Sequence, residues 1–245
     1  GSLIEYFQSI GMNFGGDINA HTSYDETVYH IILPAGTEED LDDGLLVLSD
    51  YARGALLLDE EIERERGVIL AEKRARNSAG YRVHVAESDF AFRGTLYPLR
   101  RPIGERKVIE RADQQLLRSY YDAWYRPDNM TVVLVGDTEP ELAARLIEKH
   151  FAGLDGAGPR PDCPDFGALT NRGVEVYYAS EPELGKVHIS LETFWQLEAE
   201  NDSIDLQKRK LLEHIGSMII RYRLDQILER NNLIFSYGRY QVGDI

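Results

Sequence analysis

With 245 residues, of which 43% are apolar and 28% charged, the chain has the composition of a soluble globular protein and enough length for one large domain or two ordinary ones. Its formal charge of -15 argues against nucleic acid and anionic lipid as partners, although the same charge serves plain solubility equally well. A single cysteine, Cys163, excludes an internal disulfide and a thiolate metal site, and the longest apolar run, TVVLVG at 131–136, is far too short to span a bilayer.

In chain order, residues 2–10 place Leu3, Ile4, Phe7 and Ile10 on one stripe of a helix that Gly11 stops. The stretch MNFGGDINAHTSYDETVYHIILP alternates as two strands with a turn near Ser23–Glu26, and Gly15-Gly16 marks a bulge or a close backbone approach within it. From Thr37 to Arg53 a helix is expected, with Glu38, Glu39 and Asp40 complementing its N-terminal dipole and Leu41, Leu45, Leu48 and Ala52 at helical spacing. A second helix starts with Asp59 as N-cap and runs to about Asn77, and a third, in HVAESDFAFRGTLY, is ended by Gly94. Residues 97–112 read as an extended basic connection. Asp113 caps a helix reaching Tyr125, a turn then launches a buried strand at 130–136, and the next helix carries Pro140 in its first turn, where proline is tolerated.

Residues 155–173 are rich in Gly, Pro and Asp and form the expected linker. Beyond them lie two strand-like runs, GVEVYYA and KVHISLETF, a long helix from Ser203 to about Arg230, and a last strand in LIFSYGRYQV. The fold class is therefore α+β, a mixed α/β chain with an antiparallel-rich sheet packed with helices. Its divisions are a domain over 1–154, the linker over 155–173, and the beginning of a second, related domain over 174–245. The order strand, strand, helix recurs at 13–53 and 174–230, so the second copy of the unit reads as incomplete. The abrupt start and end, with Gly1-Ser2 resembling a cloning scar, suggest a piece of a longer protein.

Motif chemistry is sparse. No two of His21, His30, His84, His150, His188 and His214 stand at i, i+3 or i, i+4, so no helical pair can grip a metal, and each reads as structural. There is no G-x-S-x-G elbow, P-loop or G-x-G-x-x-G after a strand. The run ERERGVILAEKRAR, residues 63–76, sets Glu65 and Glu72 seven residues apart and hence on one helix face. Taken alone, the two carboxylates are either solvated or aimed at something inside.

Several stretches in combination point further. LIEYFQSIGMNFGGDINAHTSYDETVYHIILP, LDEEIERERGVILAEKR, YPLRRPIG and YYDAWYRPDNMTVVLVGD, in that order, resemble the insulinase/pitrilysin family of zinc metallopeptidases, the inverzincins, and its large bacterial members most. The resemblance covers nearly all of 2–151 and, more loosely, 152–245. It implies zinc held by H-x-x-E-H on a helix and by a glutamate downstream, the glutamate of that motif acting as general base. Carried over, the downstream metal ligand is Glu72, with Glu65 supporting the site from the same face. H-x-x-E-H occurs nowhere in the chain, so the general base and two ligands are expected upstream of residue 1. No catalytic residue is assigned within the chain, which is expected to be inactive alone and to hold no zinc tightly. Asn19-Ala20 would contact substrate as an edge strand, the alternative being an ordinary edge. Glu72 would then lie by an open groove with Asn19 and Ala20 on its rim.

The resemblance thus implies a metallopeptidase-like domain, repeated, in a clamshell that encloses an unfolded peptide. The implied partners are a peptide or unfolded substrate, the remaining domains of the parent chain and, through an uncovered face, a second copy. The expected address is the bacterial periplasm. Two other readings stay open: a non-catalytic homologue serving as scaffold or peptide-binding subunit, and an acidic interaction domain without peptide chemistry.

Overall fold

The computed structural model describes residues 5, 7, 8, 10–13, 15–156, 158–170, 173–194 and 200–230, in two compact units, Gly1–Val187 and His188–Ile245. The architecture is α+β and rich in helix: seven α-helices and one antiparallel pair of strands among the described residues.

The helix expected over 2–10 lies mostly outside the described residues, but 5, 7 and 8 are helical. It ends in a Schellman motif: Gly11 takes φ +86, its N–H donates to the Gln8 carbonyl, and the Met12 N–H donates to that of Phe7. The left-handed turn is why a glycine stands there. Strand β1 (Ile18–Thr22) pairs antiparallel with β2 (Thr27–Ile31), with Ala20 opposite Tyr29, around the expected turn, which the Ser23 N–H closes onto the Glu26 carbonyl. Gly15 and Gly16 lie in a turn before β1 and form no bulge within the ladder.

Helix α1 (Glu38–Arg53) begins where the Thr37 hydroxyl accepts from the Asp40 N–H. Its apolar stripe organises two core clusters. Val47 packs with Phe7, Met12 and Ile18, while Leu41 and Leu45 enclose Leu146. Leu146 belongs to α6 (Pro140–Phe151), which starts with proline in its first turn as expected. Both Lys149 Nζ and His150 Nε2 lie 2.7 Å from the Asp42 carboxylate, tying the two helices at their rim.

Helix α2 (Asp59–Arg76) has Leu58 at its N-cap, so Asp59 is the first helical residue rather than the cap. It buries none of its residues and thus does not pack on the sheet as α1 does; charges occupy every face of the run. Helix α3 (Ala79–Ala91) is capped by Ser78. Past it, Gly94 at φ +90 crosses the strap around Gly167, with a bridge between Thr95 and Gly167. The connection at 97–112 is not extended throughout: it holds a turn of 3-10 helix at Tyr97–Leu99 and a one-turn helix α4 (Arg106–Ile109). Helix α5 (Gln114–Trp124) starts at its expected cap, Asp113.

Residues 130–136 do not form a strand. They keep the alternation of one, with Val132 and Leu134 packed on the Leu146 cluster and Val133 and Val135 outward, 75% and 90% exposed. Apolar alternation orients side chains, but a strand also needs a neighbouring edge to complete its hydrogen bonds. The runs at 173–179 and 186–194 likewise join no ladder among the described residues. Within the expected linker, the Gly158 carbonyl accepts from Arg126 Nη1.

In the second unit α7 (Ile204–Arg230) starts where the Ser203 hydroxyl accepts from the Leu206 N–H, and Arg209 Nη2 donates to both carboxylate oxygens of Glu200. The strand expected in LIFSYGRYQV lies outside the described residues. Among the described residues no helix is long and apolar enough to cross a membrane.

Candidate metal-ligand helix and substrate edge

Glu65 and Glu72 both sit on α2, two turns apart on one stripe. The Glu72 side chain is 45% exposed and takes a 2.5 Å contact from Arg76 Nη2, one turn on in the same helix. Glu65 is 56% exposed, with Arg64 Nε at 3.6 Å. Surface pairs of this kind within one helix are worth only a few tenths of a kcal/mol, about 0.3–0.5, so neither carboxylate is committed to its present partner. Glu72 can therefore offer its oxygens to another cation.

On the hairpin, the Ile32 N–H bonds to Asp17 and the Ser23 N–H to Glu26. In an antiparallel ladder bonded and non-bonded pairs alternate, so the main-chain groups of Ala20 and Thr22 point away from β2. The outward N–H of Ala20 donates to Asn19 Oδ1 at 2.8 Å, and Asn19 Nδ2 donates to the Gly15 carbonyl at 3.2 Å. The Asn19 amide thus occupies bonding positions on a strand edge that pairs with no further strand among the described residues.

The side chain of Glu72 bonds to Arg76 and that of Asn19 to Gly15 and Ala20, and no hydrogen bond or ion pair among the described residues links the two directly. Nor does any group of three His, Cys, Asp or Glu side chains stand close enough to hold a metal ion among the described residues. A carboxylate suits zinc, and an accessible Glu72 with only a weak internal partner fits one place in a ligand set; a catalytic site needs three. Sequence reading passed over two side chains that bond α2 to the backbone of 104–112, Arg66 and Lys73. Their signal was visible: they repeat the seven-residue spacing of the glutamates, one position later.

Residues 1–97 match the family described as Insulinase (Peptidase family M16), and residues 111–238 match the Peptidase M16 inactive domain. A relative in Escherichia coli strain K12, the probable zinc protease PqqL, is 38% identical over 152 residues, covering 62% of this chain and 16% of that protein. The crystal structure of the first half of the periplasmic protease PqqL from Escherichia coli superposes with TM-score 0.62 at 35% identity, over 66% of this chain and 35% of that one. The ferredoxin protease FusC, solved as a mutant in complex with Arabidopsis ferredoxin, gives TM-score 0.60 at 31% identity, over 66% of this chain and 18% of that one. The chain spans 16% of the length of its curated relative PqqL. With the two family matches running in order along nearly its whole length, this chain belongs to the insulinase family, peptidase family M16.

Proposed function

We propose that the chain is part of a zinc metalloendopeptidase, to which it contributes Glu72 as a metal ligand, Glu65 as its support, and the Asn19-Ala20 edge for substrate. The observation that carries this reading is the accessible Glu65–Glu72 stripe of α2, within the segment that matches the insulinase family. Zinc in such a site would polarise the scissile carbonyl and make water acidic enough to attack it. The residues of this chain act around that chemistry. Glu72 gives up Arg76 to bind the cation, and Glu65, about 10 Å back along the helix, adds negative potential on the same face. An extended peptide takes the outward main-chain groups of Ala20 and Thr22, with the Asn19 amide swinging off the Ala20 N–H to admit it. Recognition through main chain selects extended conformation over sequence. It suits polypeptide substrates, and a protein substrate is what the FusC complex holds.

The general base and two more ligands belong to an H-x-x-E-H segment outside this sequence, so the 245-residue chain alone neither holds zinc tightly nor cleaves peptide. Stoichiometric zinc in the purified chain, with chelator-sensitive proteolysis, would refute that. In the full-length protein, Glu72→Gln should lose both zinc and turnover; wild-type zinc content and rate would remove Glu72 from the ligand set. Glu65→Gln should be milder, roughly 10–100-fold. A second reading, the non-catalytic scaffold, finds support in the "inactive domain" match at 111–238. An intact H-x-x-E-H upstream decides for the enzyme and a degenerate one for the scaffold. The bacterial periplasm is the compartment we propose, from the periplasmic relative in Escherichia coli.

A further inference from the structure

Helix α2 raises a mechanical question, since it carries the proposed ligand and yet fully buries no residue: in its apolar patch Val68 is 55% exposed and Leu70 only half-buried. Its apolar contact is limited to the half-buried Ile62 and Leu70, on the face of Arg66 and Lys73, which leaves its rotation about its own axis weakly fixed by packing. Polar contacts add the missing constraint. The Arg66 side chain is only 15% exposed, and its guanidinium donates through Nη1 to the Ile109 carbonyl and through Nη2 to the Ala112 carbonyl at 2.5 Å. Nε and the second N–H of Nη2 hold Glu63 on the preceding turn at 3.1 and 2.8 Å. Seven residues later, Lys73 Nζ donates to the Gly104 carbonyl at 2.7 Å.

These two cations grip both ends of the 104–112 segment, where α4 forms a single turn and leaves carbonyls without helical partners. Arginine's planar fork suits such a grip, since it binds two carbonyls in a fixed orientation. Each residue advances an α-helix by about 100°, so the Arg66–Lys73 stripe lies one step around from the Glu65–Glu72 stripe. Gripping one stripe fixes where the other points.

We infer that Arg66 and Lys73 are positioning residues that lock the rotation of α2 and so aim Glu72 at the metal. This rests on the proposed role of Glu72. Without the grip, α2 samples a spread of rotations and Glu72 meets the cation in only a fraction of them, which weakens metal binding in proportion to that fraction.

The test is made in the full-length protein, by measuring zinc affinity in competition with a chromogenic chelator. Arg66→Gln should weaken zinc binding roughly 10-fold or more, Lys73→Met less, and Arg66→Lys should fall between wild type and Arg66→Gln because one ammonium reaches fewer carbonyls. In a Glu72→Gln background the same substitutions should cause no further loss, since their effect passes through Glu72. Hydrogen exchange on the 245-residue chain should show amides of 104–112 losing protection in Arg66→Gln. Wild-type zinc affinity in Arg66→Gln and Lys73→Met, or equal losses with and without Glu72, would overturn the inference. Where Arg66→Gln does not fold, Arg66→Lys and Lys73→Met decide by the same criteria. Glu72→Gln alone tests the ligand assignment: unchanged zinc affinity there removes the assignment, whereas loss there with none in the Arg66 and Lys73 variants removes only the positioning role.

Discussion

Leu146→Ala probes the packing on which the first unit rests. Leu146 is 1% exposed and is enclosed by Leu41 and Leu45 of α1, with Leu33, Val132, Leu134, Leu142 and Phe151 around them. Truncation removes three carbons from this contact, a transfer loss of about 2.4 kcal/mol at about 0.8 kcal/mol per methylene. A cavity contribution adds to it, for a range of about 2–5 kcal/mol in comparable sites. Val132, Ile147 and Phe151 also line an apolar groove that opens to solvent, which gives neighbours room to relax inward and favours the lower half of that range. We expect about 3 kcal/mol. With a urea dependence of about 2 kcal/mol per molar, the unfolding midpoint followed by circular dichroism should fall by roughly 1.5 M. Leu116→Ala on α5, where the side chain is half exposed, is the control and should shift the midpoint little. A Leu146→Ala shift no larger than that control would refute the assignment of Leu146 to the core between α1 and α6.

Gly94→Ala should destabilise by more than about 1 kcal/mol, because φ is +90 and the new Cβ would meet the Thr170 Cγ2 at 2.5 Å and the Ala168 carbonyl at 2.6 Å; a thermal midpoint equal to wild type would contradict this crossing. Burial of Tyr24, with its hydrogen bond to Tyr97, pushes its phenol up to about 12, so the stabilisation from a neutral Tyr24 is complete below the ordinary value near 10 and is lost as pH rises toward 12. Alkaline unfolding should accordingly move to higher pH in Tyr24→Phe, and an unchanged transition would exclude Tyr24 as a contributor. At the acid end, hydrogen bonds from Lys149 and then His150 lower the Asp42 carboxyl, so its contribution is present above the ordinary carboxyl range and is lost as pH falls through the depressed value. Asp42→Asn should flatten the stability profile below about pH 4, as read by urea midpoints across pH.

Local chemistry made much of the fold legible in advance. Thr37 and Asp113 accept amide hydrogen bonds at helix starts, Pro140 opens α6, and Ser23–Glu26 closes the hairpin, each through residues within a few positions of one another. The family was legible too, from four stretches in order, as was the shared stripe of Glu65 and Glu72, because helical spacing depends only on the 3.6-residue period. Other features depend on partners distant in sequence. Whether 130–136 becomes a strand turns on a neighbouring edge, and its alternation can point Val132 and Leu134 at Leu146 without supplying one. The helical turn at Arg106–Ile109 was hidden in a basic stretch whose carbonyls are satisfied by Arg66 from another helix. Charge pattern alone could not tell the cations of α2 apart: Arg76 turns to Glu72 on its own helix, while Arg66 and Lys73 reach across to the 104–112 backbone. Spacing put the glutamates on one face; which way that face turns was decided by carbonyls some 31 to 46 residues away along the chain, a separation over which periodicity carries no information.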